Sequence, residues 1–170
     1  MSLVSILEAG RQDFREACGS LSAQQASGKP APGRWSVLEC IEHVVIVENR
    51  FLGWIANGPA IAPQPSAEKE TSISARVRDR TTKAEAPEAV RPQGRFHTLA
   101  EALAEFEAVR ERSIQTVQER GGQLYSVGAT HARFGEMNGA EVICLIDGHA
   151  RRHAAQIRET CAALAQTPER

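Results

Sequence analysis

His149-Ala150-Arg151-Arg152-His153 is the stretch from which the fold can be read. Two histidines four residues apart lie about 40° apart around a helix of ~3.6 residues per turn. The residues on either side matter more than the pair. Val142, Ile146, His149, His153, Ile157 and Leu164 recur at the spacing of a buried helix face. The histidines therefore stand where core residues belong. A buried imidazole must hydrogen-bond or bind something.

The helix that carries them starts at Asn138-Gly139-Ala140-Glu141, where Asn138 is a good N-cap, and runs to about Ala165. The same signature opens two earlier helices. Ser36-Val37-Leu38-Glu39 is a capping box, and Thr98-Leu99-Ala100-Glu101 is another. The Ser36 helix turns Cys40, His43 or Val44, Val47, Phe51 and Trp54 inward, and Asn57-Gly58-Pro59 stops it. The Thr98 helix buries Leu99, Leu103, Phe106 and Val117 and ends at Gly121-Gly122. A first helix is read over residues 2–26 from the stripe Leu3, Leu7, Phe14, Cys18 and Leu21. Residues 121–137 read as a loop. Strand-like alternation is almost absent, so the expectation is an all-α chain, a four-helix bundle forming a single domain over residues 1–170.

Residues 59–97 fit no long helix. Pro59, Pro63, Pro65, Pro87 and Pro92 punctuate them, with room for one short helix near Ser74–Arg80. Antiparallel neighbours need only a tight turn, so this length implies a long crossover between the second and third helices that covers part of the bundle.

The chain has 170 residues and a net charge of −1, which favours neither nucleic acid nor an acidic membrane surface as a partner. No apolar run approaches a membrane span. The start Met1-Ser2-Leu3-Val4 lacks the features of a secretory signal, and the four cysteines form no CxxC pair. A cytoplasmic protein acting on a small molecule is expected.

A core site in a bundle draws on facing helices, and His43 is the other histidine well inside one. His43, His149 and His153 together offer neutral nitrogens to a borderline divalent ion such as zinc or nickel, with a position left open. Cys40, one turn before His43, is a rival ligand. Glu39 could orient the His43 ring, although the capping box already employs it. Arg110 shares the inward stripe of its helix; it is read either as a stripe-edge side chain with its head in water or as a cation aimed at a substrate in the bundle mouth. Arg152, one turn from His149, is placed to reach the rim. Glu48 reads as solvated, and His97 and His131 as loop histidines. The glutamate of HExxH is missing, so that motif's general base is absent. There is no Glu-x-x-His pair, phosphate loop or GxSxG elbow.

These motifs, in this order, resemble the DinB/YfiT-like family of metal-dependent enzymes. The resemblance rests on Trp35-Ser36 opening a helix with Glu42-His43 inside it, on Pro92-Gln93-Gly94-Arg95-Phe96, on Phe134-Gly135, and on the closing His149-x-x-x-His153-x-x-Gln156-Ile157. It implies an up-down-down-up four-helix bundle and a homodimer. It also implies a zinc or nickel ion on His43, His149 and His153, and either hydrolysis or transfer of a low-molecular-weight thiol. The alternative is a metal-binding or stress-related dimeric bundle without turnover.

Overall fold

A computed structural model describes residues 2–81 and 85–166. In chain order the helices are α1 (Leu3–Cys18), α2 (Ala23–Ser27), α3 (Val37–Asn57), α4 (Ala67–Arg78), α5 (Leu99–Arg120) and α6 (Gly139–Ala165). Short 3-10 segments occupy Glu88–Val90 and Gly121–Ser126, one turn and two turns long. The long helices α1, α3, α5 and α6 make the bundle. None of the described helices is long and apolar enough to cross a membrane.

The capping signals explain where the helices begin. Ser36 and Asn138 each accept the backbone N–H of the glutamate three residues on, and that glutamate accepts the cap's own N–H. Thr98 forms half of this arrangement: it accepts from Glu101, but the Glu101 carboxylate takes the N–H of His97 instead. Two expectations need correction. The first helix stops at Cys18, not near residue 26. Gly19 turns to φ +49, a conformation cheap only for glycine, and its N–H closes on the Arg15 carbonyl. The chain then restarts as α2 from a capping box on Ser22 and Gln25. Residues 121–137 are also not all loop, so the chain is not purely helical. Gly128–His131 (β1) and Gly135–Asn138 (β2) pair antiparallel, with Gly128 opposite Asn138. Asn138 thus ends the hairpin and caps α6.

The first half of α6 is buried on every side, from Gly139 to Gly148 without interruption. A helix apolar all round belongs in the middle, and α6 packs against α1, α3 and α4. Backbones approach closely where glycines allow it. A Cβ on Gly148 would collide with the Val77 methyl of α4, and one on Gly10 with the Asp147 carboxylate. Along α1 and α6 the Arg151 guanidinium reaches the Ile6 carbonyl, and further along Arg158 pairs with Asp13. Between α1 and α5, Phe14 stacks on Phe106 at 4.2 Å while Leu7 lies against Arg110.

The segment between α3 and α5 holds more helix than its sequence suggests, twelve residues in α4. Lys69 pins the start of α4 to the hairpin and α6, through the Glu136 carbonyl at 2.7 Å and the Glu141 carboxylate at 2.8 Å. At its other end Arg152 of α6 donates to the Val77 and Asp79 carbonyls, a favourable place for a cation.

The apolar core falls into two clusters. One gathers Phe14, Cys40, Ile41, Phe106, Ala150 and Ile157; the other gathers Leu7, Phe51, Ile114, Val142 and Ile146. The buried polar residues His43, Glu48, Asp147 and His153 lie among these core residues on α3 and α6.

Candidate metal centre

His43 on α3 and His149 and His153 on α6 come together. The Nε2 of His149 is 3.2 Å from the Nε2 of His43 and 3.2 Å from that of His153. All three donor atoms lie within 4.8 Å of one another, and no other such cluster occurs among the described residues. A tetrahedral ion with metal–nitrogen bonds near 2.05 Å would hold its ligand nitrogens about 3.3 Å apart.

The hydrogen bonding agrees with that spacing. His43 Nδ1 lies 2.7 Å from the carbonyl oxygen of Val90. A carbonyl can only accept, so Nδ1 carries the proton and Nε2 is bare. A single proton on His149 Nε2 could satisfy one neighbour and would leave the other facing a lone pair. A cation at the centre satisfies all three, so the residues fit a divalent ion. His153 Nδ1 is buried without a hydrogen-bond partner.

Burial pushes all three imidazoles below the ordinary histidine range, His149 and His153 well below it. Burial is the largest cause for each; for His149 and His153 the neighbouring histidines and the Arg152 charge add to it. They are therefore neutral at pH 7, the state that coordinates metal. Trp35 covers the cluster on one side, 4.8 Å from the His43 ring and 6.2 Å from His153. Phe51 approaches His149 edge-on at 6.5 Å.

The other sequence candidates lie elsewhere or do other work. Both oxygens of Glu39 are engaged, one by the Ser36 N–H at 2.8 Å and the other by Lys29 at 2.7 Å. It therefore makes no contact with His43, whose orienting partner is Val90. Cys40 faces the apolar core, where burial pushes its thiol up to about 12, unsuited to ligation. Arg152 is half-buried, and its charge reaches His149 and His153 while its guanidinium binds the end of α4.

Arg110 has neither the exposed head nor the bundle-mouth placement expected of it. It is 0% exposed and donates to Glu48 at 3.0 Å. Glu48 is not solvated either; its second oxygen accepts from Ser113 at 2.6 Å. Asp147 joins this network 4.0 Å from Arg110 and is tied to Arg151 at 2.9 Å. His97 is exposed, as a loop histidine should be. His131 instead sits on β1, half-buried among Phe51, Trp54 and Phe134.

Sequence reasoning gave no role to two groups that support the centre. One is the Val90 carbonyl. The other is Glu42, 1% exposed, whose carboxylate accepts the backbone N–H groups of Gln93, Gly94 and Arg95 at 2.9, 2.9 and 3.1 Å. The available signal was a glycine after Pro92-Gln93. Gly94 takes φ +78, and successive N–H groups around such a residue form an anion nest.

A model of the DinB superfamily matches residues 6–157 of the chain. The uncharacterised protein YuaE of Bacillus subtilis (strain 168) is 23% identical over 156 residues, covering 92% of this chain and 95% of its own length. Among solved structures, YfiT from Bacillus subtilis aligns with a TM-score of 0.61 at 18% identity, over 97% of this chain and 87% of that one. YfiT is described as a probable metal-dependent hydrolase with an unusual four-helix bundle topology. At that identity the likeness establishes a shared four-helix bundle fold.

Proposed function

The chain belongs to the DinB superfamily, and from that premise we propose that it is a metal-dependent hydrolase whose divalent ion is held by His43, His149 and His153. The observation that carries this reading is the convergence of three buried imidazole nitrogens with no carboxylate or thiolate among them. An ion held there would keep its full charge and would supply Lewis acidity, enough to polarise an electrophile and to lower the pKa of water toward ~7. That chemistry fits a chain in which Ala150 stands where HExxH has its glutamate.

The chain's own residues do the rest. The Val90 carbonyl fixes the His43 tautomer. Trp35 and Phe51 limit water on two sides of the cluster. Arg152 adds positive charge beside it and suits a substrate that is anionic or becomes so. The same donor set suits a low-molecular-weight thiol as nucleophile, so thiol transfer to a small electrophile is the second arm of the proposal. Zinc or nickel is the proposed ion, from the all-nitrogen ligand set.

The proposed helix order is up-down-down-up. The Ile6–Arg151 and Asp13–Arg158 pairs support a parallel α1 and α6. The Phe14–Phe106 and Leu7–Arg110 contacts support an antiparallel α1 and α5. Trp35 near His153 and Phe51 near His149 support an antiparallel α3 and α6. A homodimer is also proposed, to be checked by light scattering.

The test is metal analysis of protein purified without nickel resin, then a screen of small esters, amides and thiol–acceptor pairs. Metal-free, zinc-loaded, nickel-loaded and His153→Ala proteins are compared. Activity is expected only with metal and intact His153. Activity that survives both metal removal and His153→Ala overturns the proposal.

A further inference from the structure

Glu42 is next to His43 in sequence, yet on the helix it points to a different neighbour. It is 1% exposed, and no cation in the described structure pairs with it. Instead three consecutive backbone N–H groups of the loop before α5 converge on its two oxygens, at 2.9, 2.9 and 3.1 Å. Hydrogen bonds to a carboxylate are among the stronger kind, and three to one side chain fix the loop's distance and orientation relative to α3. The loop is short and stiff between its two attachments. It leaves the 3-10 turn Glu88–Val90, passes Pro92, and reaches the nest at residues 93–95. Val90, at its head, is 7% exposed and gives its carbonyl to His43 Nδ1 at 2.7 Å.

We infer that Glu42 is the positioning residue of the three-histidine centre: by anchoring residues 93–95 it holds the Val90 carbonyl on His43 Nδ1, and so keeps His43 Nε2 bare and aimed at His149 and His153. The inference rests on the metal reading above for its consequence, but its geometric content concerns the protein alone. A carboxylate suits this place because every group facing it is a donor. A carboxamide turns one NH2 toward an N–H and loses at least one of the three bonds. An aspartate is one methylene too short to span the same gap.

Two measurements on purified full-length protein test it. The first is the dissociation constant for zinc alone. Glu42→Gln is expected to weaken zinc binding about 10–100-fold, the range for residues that orient a ligand histidine. Gly94→Ala perturbs the loop from its other side, because φ +78 strains any residue with a Cβ while the space around it is open; it is expected to move affinity the same way. Glu39→Ala is the control. It weakens the first turn of the same helix without touching the loop, and its affinity should stay within about threefold of the parent. The second measurement is the His43 tautomer in metal-free protein, read by long-range proton–nitrogen NMR. The parent should carry its proton on Nδ1, and Glu42→Gln should shift the population toward Nε2.

Parent-like zinc affinity in Glu42→Gln overturns the inference, and so does an equal loss in Glu39→Ala. If Glu42→Gln fails to fold, Gly94→Ala decides by the same two readouts. If the parent takes up neither zinc nor nickel, the proposed function fails, and the tautomer measurement decides this inference by itself.

Discussion

Replacing Arg110 by methionine tests the buried charge network beside the histidines. Arg110 is fully buried, with its guanidinium on Glu48 at 3.0 Å, the Leu7 carbonyl at 3.4 Å and Asp147 at 4.0 Å. Methionine fills much of the same length and removes the charge. Glu48 would keep only the Ser113 hydroxyl at 2.6 Å, and Asp147 only Arg151. Removing one partner from a buried ion pair costs about 3–5 kcal/mol. For a chain of this size that is roughly 6–20 °C in Tm, at about 2–4 °C per kcal/mol. Urea unfolding followed by circular dichroism reads the loss directly.

The pH dependence has a fixed sign. Burial holds the Glu48 and Asp147 carboxyls above their ordinary range, and the Arg110 charge opposes that rise in both. Without Arg110 the folded-state values climb further. A group raised in the folded state contributes stability that is complete below its unfolded value, about 4.3 for glutamate, and lost as pH rises through the folded value. The deficit of Arg110→Met should therefore be smallest in acid, where both carboxyls are protonated in parent and variant alike, and grow only as pH rises past the parent's own raised folded-state values, by at most about 1.4 kcal/mol per pH unit per group. The double variant Glu48→Leu/Arg110→Met should recover most of the loss, because Ser113 can still donate to the Val109 carbonyl at 3.3 Å. A deficit under about 1 kcal/mol that is flat with pH, or a double variant no better than the single, would refute this reasoning.

Other outcomes follow from features already described. His43, His149 and His153 all titrate below the ordinary range in the folded protein, chiefly because they are buried. The metal-free protein should thus hold its stability above about pH 6.5 and lose it progressively below, and replacing all three by glutamine should flatten that slope. Gly148→Ala should force α4 away from α6, since the new Cβ meets the Val77 methyl and comes within 3.2 Å of the Ser74 carbonyl. The expected cost is about 1–3 kcal/mol, together with faster proteolysis between residues 60 and 81. Deleting a ligand should do more than disturbing its orientation: His153→Ala should lose zinc affinity by over roughly 100-fold with its helical circular dichroism unchanged.

How much of this could be read from the sequence depended on how local each signal was. The starts of α3 and α6 are written in residues three apart, Ser36 with Glu39 and Asn138 with Glu141, and the structure keeps both. The His149–His153 juxtaposition needs only one helical turn. The end of α1 was misread because the apolar spacing continues through Leu21, while Gly19 breaks the backbone beneath it. The hairpin is Gly-Ala-Thr-His against Gly-Glu-Met-Asn, too short and too poor in branched residues to show alternation. Glu48 and Arg110 are 62 residues apart on different helices, so each looks like an isolated charge until α3 meets α5. The Val90 carbonyl has no sequence signature at all, because every residue carries one.

The position of α6 in the chain has a consequence for biosynthesis. His43 and His149 are separated by 106 residues, so at ~5–20 residues per second the ribosome takes roughly 5–20 s between them. Within that interval the inner faces of α1 and α3, and the underside of α4, are each completed and then wait without the helix they pack against. The nascent protein then presents apolar surface that suits a chaperone better than water. Two of the three histidines emerge with α6 itself, so the proposed ion site and the core are completed by the same event. Metal uptake would accordingly mark chains that have finished folding, and truncated products would stay both metal-free and prone to aggregate.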